Sequence, residues 1–106
     1  MMLTREFLTK IPLEGYVRRA MAICEDGFTL SIQASEVHYC TPRITMANGN
    51  VYTEVEVGFP SDEEPDLMEY AEEPDKPTET VYGYVPIDIL DSVLLKHGGI
   101  KGVTLD

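Results

Sequence analysis

The chain of 106 residues has no tryptophan, two cysteines, and eight basic residues against nineteen acidic ones. Each shortage excludes something. Cys24 and Cys40 cannot make a disulfide framework, and both are expected as reduced thiols in the cytoplasm. No C-x2-C pair is present, so the ligand spacing of a structural zinc module is missing. The formal net charge of −11 argues against direct nucleic-acid binding, because such a surface repels phosphates. No apolar run approaches the ~18 residues of a membrane span. The opening MMLTREFLTK carries charges where a secretory leader needs an apolar stretch. The expectation is a cytoplasmic protein with no membrane contact. No strand and glycine-rich loop precede a helix around Gly98-Gly99, so no phosphate-binding loop and no cofactor are expected.

What is present points to a folded domain. Hydrophobic residues make up 43% of the chain, and its length suits one domain over 1–106. The charge is polarised. Residues 1–53 balance five acids against five bases, so residues 54–106 hold the whole excess of acid. Its densest part is 60–79, PSDEEPDLMEYAEEPDKPTE, punctuated by Pro60, Pro65, Pro74 and Pro77. This stretch reads as an acidic, proline-rich surface connection. Ser61 and Glu64 resemble a capping box, and Leu67, Tyr70 and Ala71 stripe a short helix.

The centre of the fold is Arg19 to Ala34, RAMAICEDGFTLSIQA, read as two strands around an Asp26-Gly27 turn. A two-residue turn pairs Ile23 with Leu30 and Met21 with Ile32, placing all four on one face with Phe28. Residues 13–24 also carry a helical stripe through Leu13, Tyr16, Val17, Ala20, Met21 and Cys24, so strand from about Val17 competes with helix. Asn48-Gly49 predicts a second hairpin that pairs Met46 with Val51 and Ile44 with Thr53. The alternation that follows sends Val51, Thr53, Val55, Val57 and Phe59 to a buried face and Tyr52, Glu54, Glu56 and Gly58 to a solvated one. Another strand segment is expected before Pro42.

Thr4 to Lys10 reads as a short helix capped by Thr4. Thr80 to Val85 reads as a strand with Tyr82 and Tyr84 on one face. The best helix is 86–97, with Ile87, Leu90, Val93 and Leu94 on its apolar face and Gly98-Gly99 closing it. A final edge strand over 100–105 follows. The predicted fold is α+β: an antiparallel sheet of four to five strands built on hairpins, with the 86–97 helix on one face. Its core is Met21, Ile23, Phe28, Leu30, Ile32, Val55, Val57, Val81, Ile87, Leu90, Val93 and Leu94.

The stretches CEDGFTLSIQAS, HYCTPR, VEVGFPS and VYGYVPIDILDSVLLKHGGI resemble a family of small acidic proteins from phages and mobile elements of gut bacteria. The resemblance implies a biological setting and brings no activity, cofactor or catalytic residue.

No catalytic or metal residue is assigned. His38 and Cys40 sit two apart, and with Cys24 and His97 they complete the minimum ligand set for zinc. A nucleophile and base need hydrogen-bond reach and an oxyanion donor, and neither is apparent here. Buried or half-buried thiols explain the pattern. The candidate partner-binding residues are Tyr52, Glu54, Glu56, Asp62, Glu63, Glu64, Asp66, Glu69, Tyr70, Glu72 and Glu73. Tyrosine buries its ring while keeping its hydroxyl satisfied, which suits interfaces. Tyrosines among acids therefore suggest a protein partner with a basic surface. In a phage setting, that partner would be a host enzyme whose nucleic-acid site the acids imitate. The alternative is a structural or accessory homodimer whose acidity serves solubility.

Overall fold

The computed structural model describes residues 1–14 and 18–104. Helix α1 (Thr4–Lys10) precedes strands β1 (Ala22–Cys24), β2 (Thr29–Gln33), β3 (Glu54–Gly58) and β4 (Val81–Pro86). Helix α2 (Ile87–Lys96) and strand β5 (Ile100–Val103) complete the chain, with 3-10 turns at Gly49–Val51 and Pro65–Tyr70. The five strands form one antiparallel sheet in the order β4-β3-β2-β1-β5. The first four run as a meander, and α2 carries the chain from one edge to the other. This is the predicted α+β fold. No helix among the described residues is long and apolar enough to cross a membrane.

Helix α2 buries Ile87, Leu90, Val93 and Leu94 in a single core with Leu30, Ile32, Val55, Val57, Tyr82 and Val85 of the sheet. Asp88 in its first turn and Lys96 in its last complement the helix dipole. Gly98 and Gly99, at φ of 88° and 82°, turn the chain out of the helix, and their N–H groups donate to the carbonyls of Leu95 and Leu94. A left-handed exit of this kind favours glycine. Helix α1 adds Phe7 and Leu8 to the core and docks on α2 through the Thr4 N–H, which donates to Asp91 Oδ1 at 3.0 Å.

The first hairpin exists with its register shifted. Ala22 pairs with Leu30 and Ile23 with Thr29. The Cys24 N–H donates to the Phe28 carbonyl, so the loop is Glu25-Asp26-Gly27, three residues rather than two. Gly27 takes φ of 96° and Asp26 Oδ1 accepts the Phe28 N–H. A three-residue hairpin loop with glycine in the left-handed region is a favoured alternative to the two-residue turn. The slip inverts β1. Ala22 and Cys24 are fully buried, whereas Met21 and Ile23 are only half-buried. Val81 is likewise half-buried.

The second hairpin does not form. Asn48 Oδ1 instead caps the 3-10 turn through the Asn50 N–H, and Gly49 docks against α1, donating to Thr9 Oγ1 at 2.8 Å. The Asn-Gly pair is used for close approach to a helix, not for reversing strands. Ile44 and Met46 are exposed. The helical alternative for 13–24 also fails in the described part, since residues 18–24 contain no helix and Arg18 bridges back to Glu14. Tyr16 and Val17 lie outside the described residues, as does Leu105. Residues 35–40 form turns rather than a strand, and Thr41 makes a single bridge to Glu54. In 60–79 the short helix is the 3-10 segment Pro65–Tyr70. Ser61 does not cap it: its hydroxyl accepts from the Thr29 N–H.

Candidate functional site

Along β3, Val55 and Val57 point into the core, so Glu54 and Glu56 point to the opposite face of the sheet. On neighbouring β2, Ser31 and Gln33 share that face yet are covered, at 7% and 4% exposure. Gln33 explains the cover. Its side chain accepts from the Arg19 N–H at 2.8 Å and donates to the Arg19 carbonyl and Ser31 Oγ, each at 2.9 Å.

The turn segment 35–42 is pinned across the same face by the two glutamates. Glu56 Oε1 accepts the Tyr39 N–H at 3.0 Å, and Glu54 Oε1 accepts the Thr41 hydroxyl at 2.7 Å. Tyr39 is thereby laid over β4. A Cβ added at Gly83 would stand 3.3 Å from that of Tyr39. The Tyr39 and Tyr84 rings lie 5.9 Å apart at 35°, and the Arg43 guanidinium sits 5.3 Å from the Tyr39 centroid. Tyr84 is turned out by a bulge. Tyr82 pairs with Val57 and Val85 with Val55, leaving Gly83 and Tyr84 opposite Glu56, with Tyr84 at φ of 55°. The Tyr84 N–H donates to the Tyr39 carbonyl at 3.0 Å.

Beside this pair lies a cavity of about 280 Å3, walled by Arg18, Ser31, Gln33, His38, Glu56 and Phe59. Phe59 sits at φ of 50°. Phe59 and Tyr84 are the non-glycine residues at positive φ among the described residues, and both are exposed aromatics flanking this face. Side chains in the left-handed region carry strain that surrounding structure must hold, and such strain gathers at binding sites.

The predicted site residues divide. Glu54 and Glu56 frame the face described above. Glu54, Glu69 and Asp88 all act electrostatically on Tyr70, whose pKa is raised first by burial and then by these acids. Asp62, Glu63, Asp66, Glu69, Glu72 and Glu73 are exposed. Three residues lie elsewhere than expected. Tyr52 is fully buried rather than on the solvated face, and its hydroxyl donates to the Ile44 carbonyl at 2.6 Å and accepts the Met46 N–H. Glu64 is 3% exposed. Its carboxylate receives Lys96 Nζ at 2.6 Å and His97 Nε2, while His97 Nδ1 lies 2.6 Å from Asp26 Oδ2. Tyr82, expected beside Tyr84, is in the core. Sequence reasoning missed Tyr39, Arg43, Phe59 and Tyr84. One signal was available: a glycine between two strand tyrosines, Tyr82-Gly83-Tyr84, marks a bulge.

The side chains of His38 and Cys40 each bond to Ser35 rather than to one another. His38 Nδ1 is 2.7 Å from Ser35 Oγ, and Cys40 Sγ, on a side chain 2% exposed, donates to the Ser35 carbonyl. Burial lowers the His38 pKa and raises that of Cys40, so both are neutral at pH 7. Burial pushes the Cys24 thiol up to about 11. Among the described residues no group of three or more His, Cys, Asp or Glu side chains is placed to hold a metal ion. His97 shows why one near-candidate fails, since its two nitrogens face different carboxylates on opposite sides of the ring.

No family model, characterised protein or solved structure matches the chain.

Proposed function

We propose that this protein is a small acidic binding module whose partner is a protein with a basic surface. The observation that carries the reading is the Tyr39–Tyr84 pair, exposed at 38% and 45% and held in place by a strained backbone and two glutamates. Tyrosine and arginine are the residues that concentrate binding energy at protein interfaces. Glu54 and Glu56 put acids beneath the segment that carries Tyr39, and the net charge of −11 would speed encounter with a cationic partner. Surfaces of that sign commonly handle nucleic acid, so the module would compete with phosphates for its partner, in keeping with a phage or mobile-element setting.

The test is capture from host lysate on the immobilised protein, run in parallel with the Tyr39→Ser/Tyr84→Gly double variant and with Glu54→Lys. A protein held by the wild type, released as salt rises and lost with both variants supports the reading, because salt screens charge pairs. A protein retained equally by all three overturns it. If the wild type captures only itself and runs as a dimer in light scattering, the structural homodimer replaces it.

A further inference from the structure

A second cavity, of about 260 Å3, opens between the end of α1 and residues 45–47. Leu8, Ile11, Leu13 and Met46 make it largely apolar, and Arg19 closes one wall. Arg19 is 2% exposed. Its Nε donates to the Ile11 carbonyl at 3.0 Å, one Nη to the Ala34 carbonyl at 2.9 Å and the other to the Leu8 carbonyl at 3.3 Å. All three acceptors are neutral. Among the described residues, no carboxylate lies within ion-pair distance of this guanidinium.

That arrangement is unusual. A buried charge is normally paired, because taking an ion out of water costs several kcal/mol even after relaxation. Burial accordingly depresses the Arg19 pKa. A guanidinium has five N–H donors, so three bonds leave two, one on each terminal nitrogen. A carboxylate accepts such a pair of donors in parallel and supplies the missing charge. The alternative, that Arg19 only ties α1 to the end of β2, accounts for the three carbonyls but not for the apolar cavity against the cation.

We propose that this cavity binds a small amphipathic carboxylate, its head on Arg19 and its alkyl or aromatic tail along Leu8, Ile11, Leu13 and Met46. The volume suits a short chain rather than a drug-sized ligand. The site is independent of the tyrosine-bearing face.

The experiment is a titration of the labelled full chain with octanoate, with octanol as the uncharged match, followed by amide and arginine Nε resonances in two-dimensional NMR. Saturable octanoate shifts at residues 8–13 and at Arg19, about tenfold or more tighter than octanol, are expected. Ala47 is exposed, so Ala47→Trp should fold normally, block the cavity and abolish the shifts. No saturable shift in the millimolar range, equal affinity for octanol, or unchanged binding in a folded Ala47→Trp would each overturn the proposal.

Discussion

The imidazole of His97 lies flat on the ring of Phe28, with centroids 3.9 Å apart and planes 8° from parallel. Both ring nitrogens meet carboxylates, Nδ1 on Asp26 and Nε2 on Glu64. A neutral imidazole has one N–H and satisfies only one acceptor, so the geometry belongs to the imidazolium. The ring joins three elements: the hairpin turn that carries Asp26, the C-terminal end of α2, and the acidic connection anchored by Glu64.

Stability should therefore depend on pH with a defined sign. Burial lowers the His97 pKa, but its bonds to Glu64 and Asp26 more than offset this and raise it above 6.5. Its stabilisation is complete below 6.5 and is lost as pH rises through the folded value. For Glu64, burial raises the pKa, yet Lys96 and His97 bring it below 4.5, so its contribution holds above 4.5 and is lost on further acidification. The cluster is strongest between those limits. His38, with a lowered pKa, slopes the opposite way, so the decisive comparison is between variants. The urea midpoint of the wild type should fall more steeply above pH 6.5 than that of His97→Gln. Glu64→Gln should cost about 2 kcal/mol at pH 6. Parallel pH profiles for wild type and His97→Gln would show that the imidazolium contributes nothing.

The two cysteines should label at different rates. Cys24 is fully buried in a strand paired on both sides, so its thiol is exposed only when the sheet opens. Cys40 lies in the turn segment beside Pro42, where smaller openings reach it. A thiol reagent with mass-spectrometric readout should modify Cys40 first. Cys24 should follow at a rate that rises with urea in step with global unfolding. Faster labelling of Cys24 would contradict the shifted hairpin register.

Gly49→Ala should destabilise by about 2 kcal/mol or more. A Cβ there would clash with the Arg5 carbonyl oxygen and stand 2.9 Å from Leu8 Cβ. The first of these is backbone and cannot step aside. In the hairpin expected from sequence, the same substitution would disturb only a surface turn. Chemical denaturation of the variant distinguishes the two placements.

How far the sequence is legible follows from these cases. The period of 3.6 in Ile87, Leu90, Val93 and Leu94 and the glycines after it mark α2 unambiguously, because the signal and its terminators are local. The alternation in Val55 and Val57 likewise marks β3. Asp26-Gly27 announces a turn, but two- and three-residue loops share that chemistry, and one residue of difference exchanges the faces of β1. Asn48-Gly49 and Tyr52 failed for a different reason. Their roles depend on α1, forty residues earlier in the chain for Gly49, where Thr9 receives its N–H. The tyrosine-bearing face was hidden because the Tyr84 bulge inverts the alternation, and because Tyr39 is placed by Glu54 and Glu56 across the sheet.

Thr4→Val should leave stability unchanged or raise it by about 1 kcal/mol. The Thr4 hydroxyl is buried and has no hydrogen-bond partner among the described residues. Valine keeps the shape, removes the unsatisfied oxygen, and leaves the backbone bond to Asp91 intact. A calorimetric melting temperature well below that of the wild type would show that the hydroxyl has a partner in solution.

Tyr84→Gly separates binding from folding. At φ of 55° a tyrosine carries strain of about 1 kcal/mol or more that glycine does not. Glycine returns part of that gain through the extra entropy of its unfolded state. The ring is 45% exposed, pairs with that of Tyr39 and stands outside the core, so little core packing is lost. The variant should therefore unfold within about 1 kcal/mol of the wild type. It should at the same time lose the capacity to hold a partner on the sheet face, since the aromatic pair is halved and Tyr39 loses its neighbour. Denaturation and capture measured on the same preparation decide the matter. A loss of several kcal/mol would make Tyr84 a structural residue. Full stability with undiminished capture would move the partner away from this face.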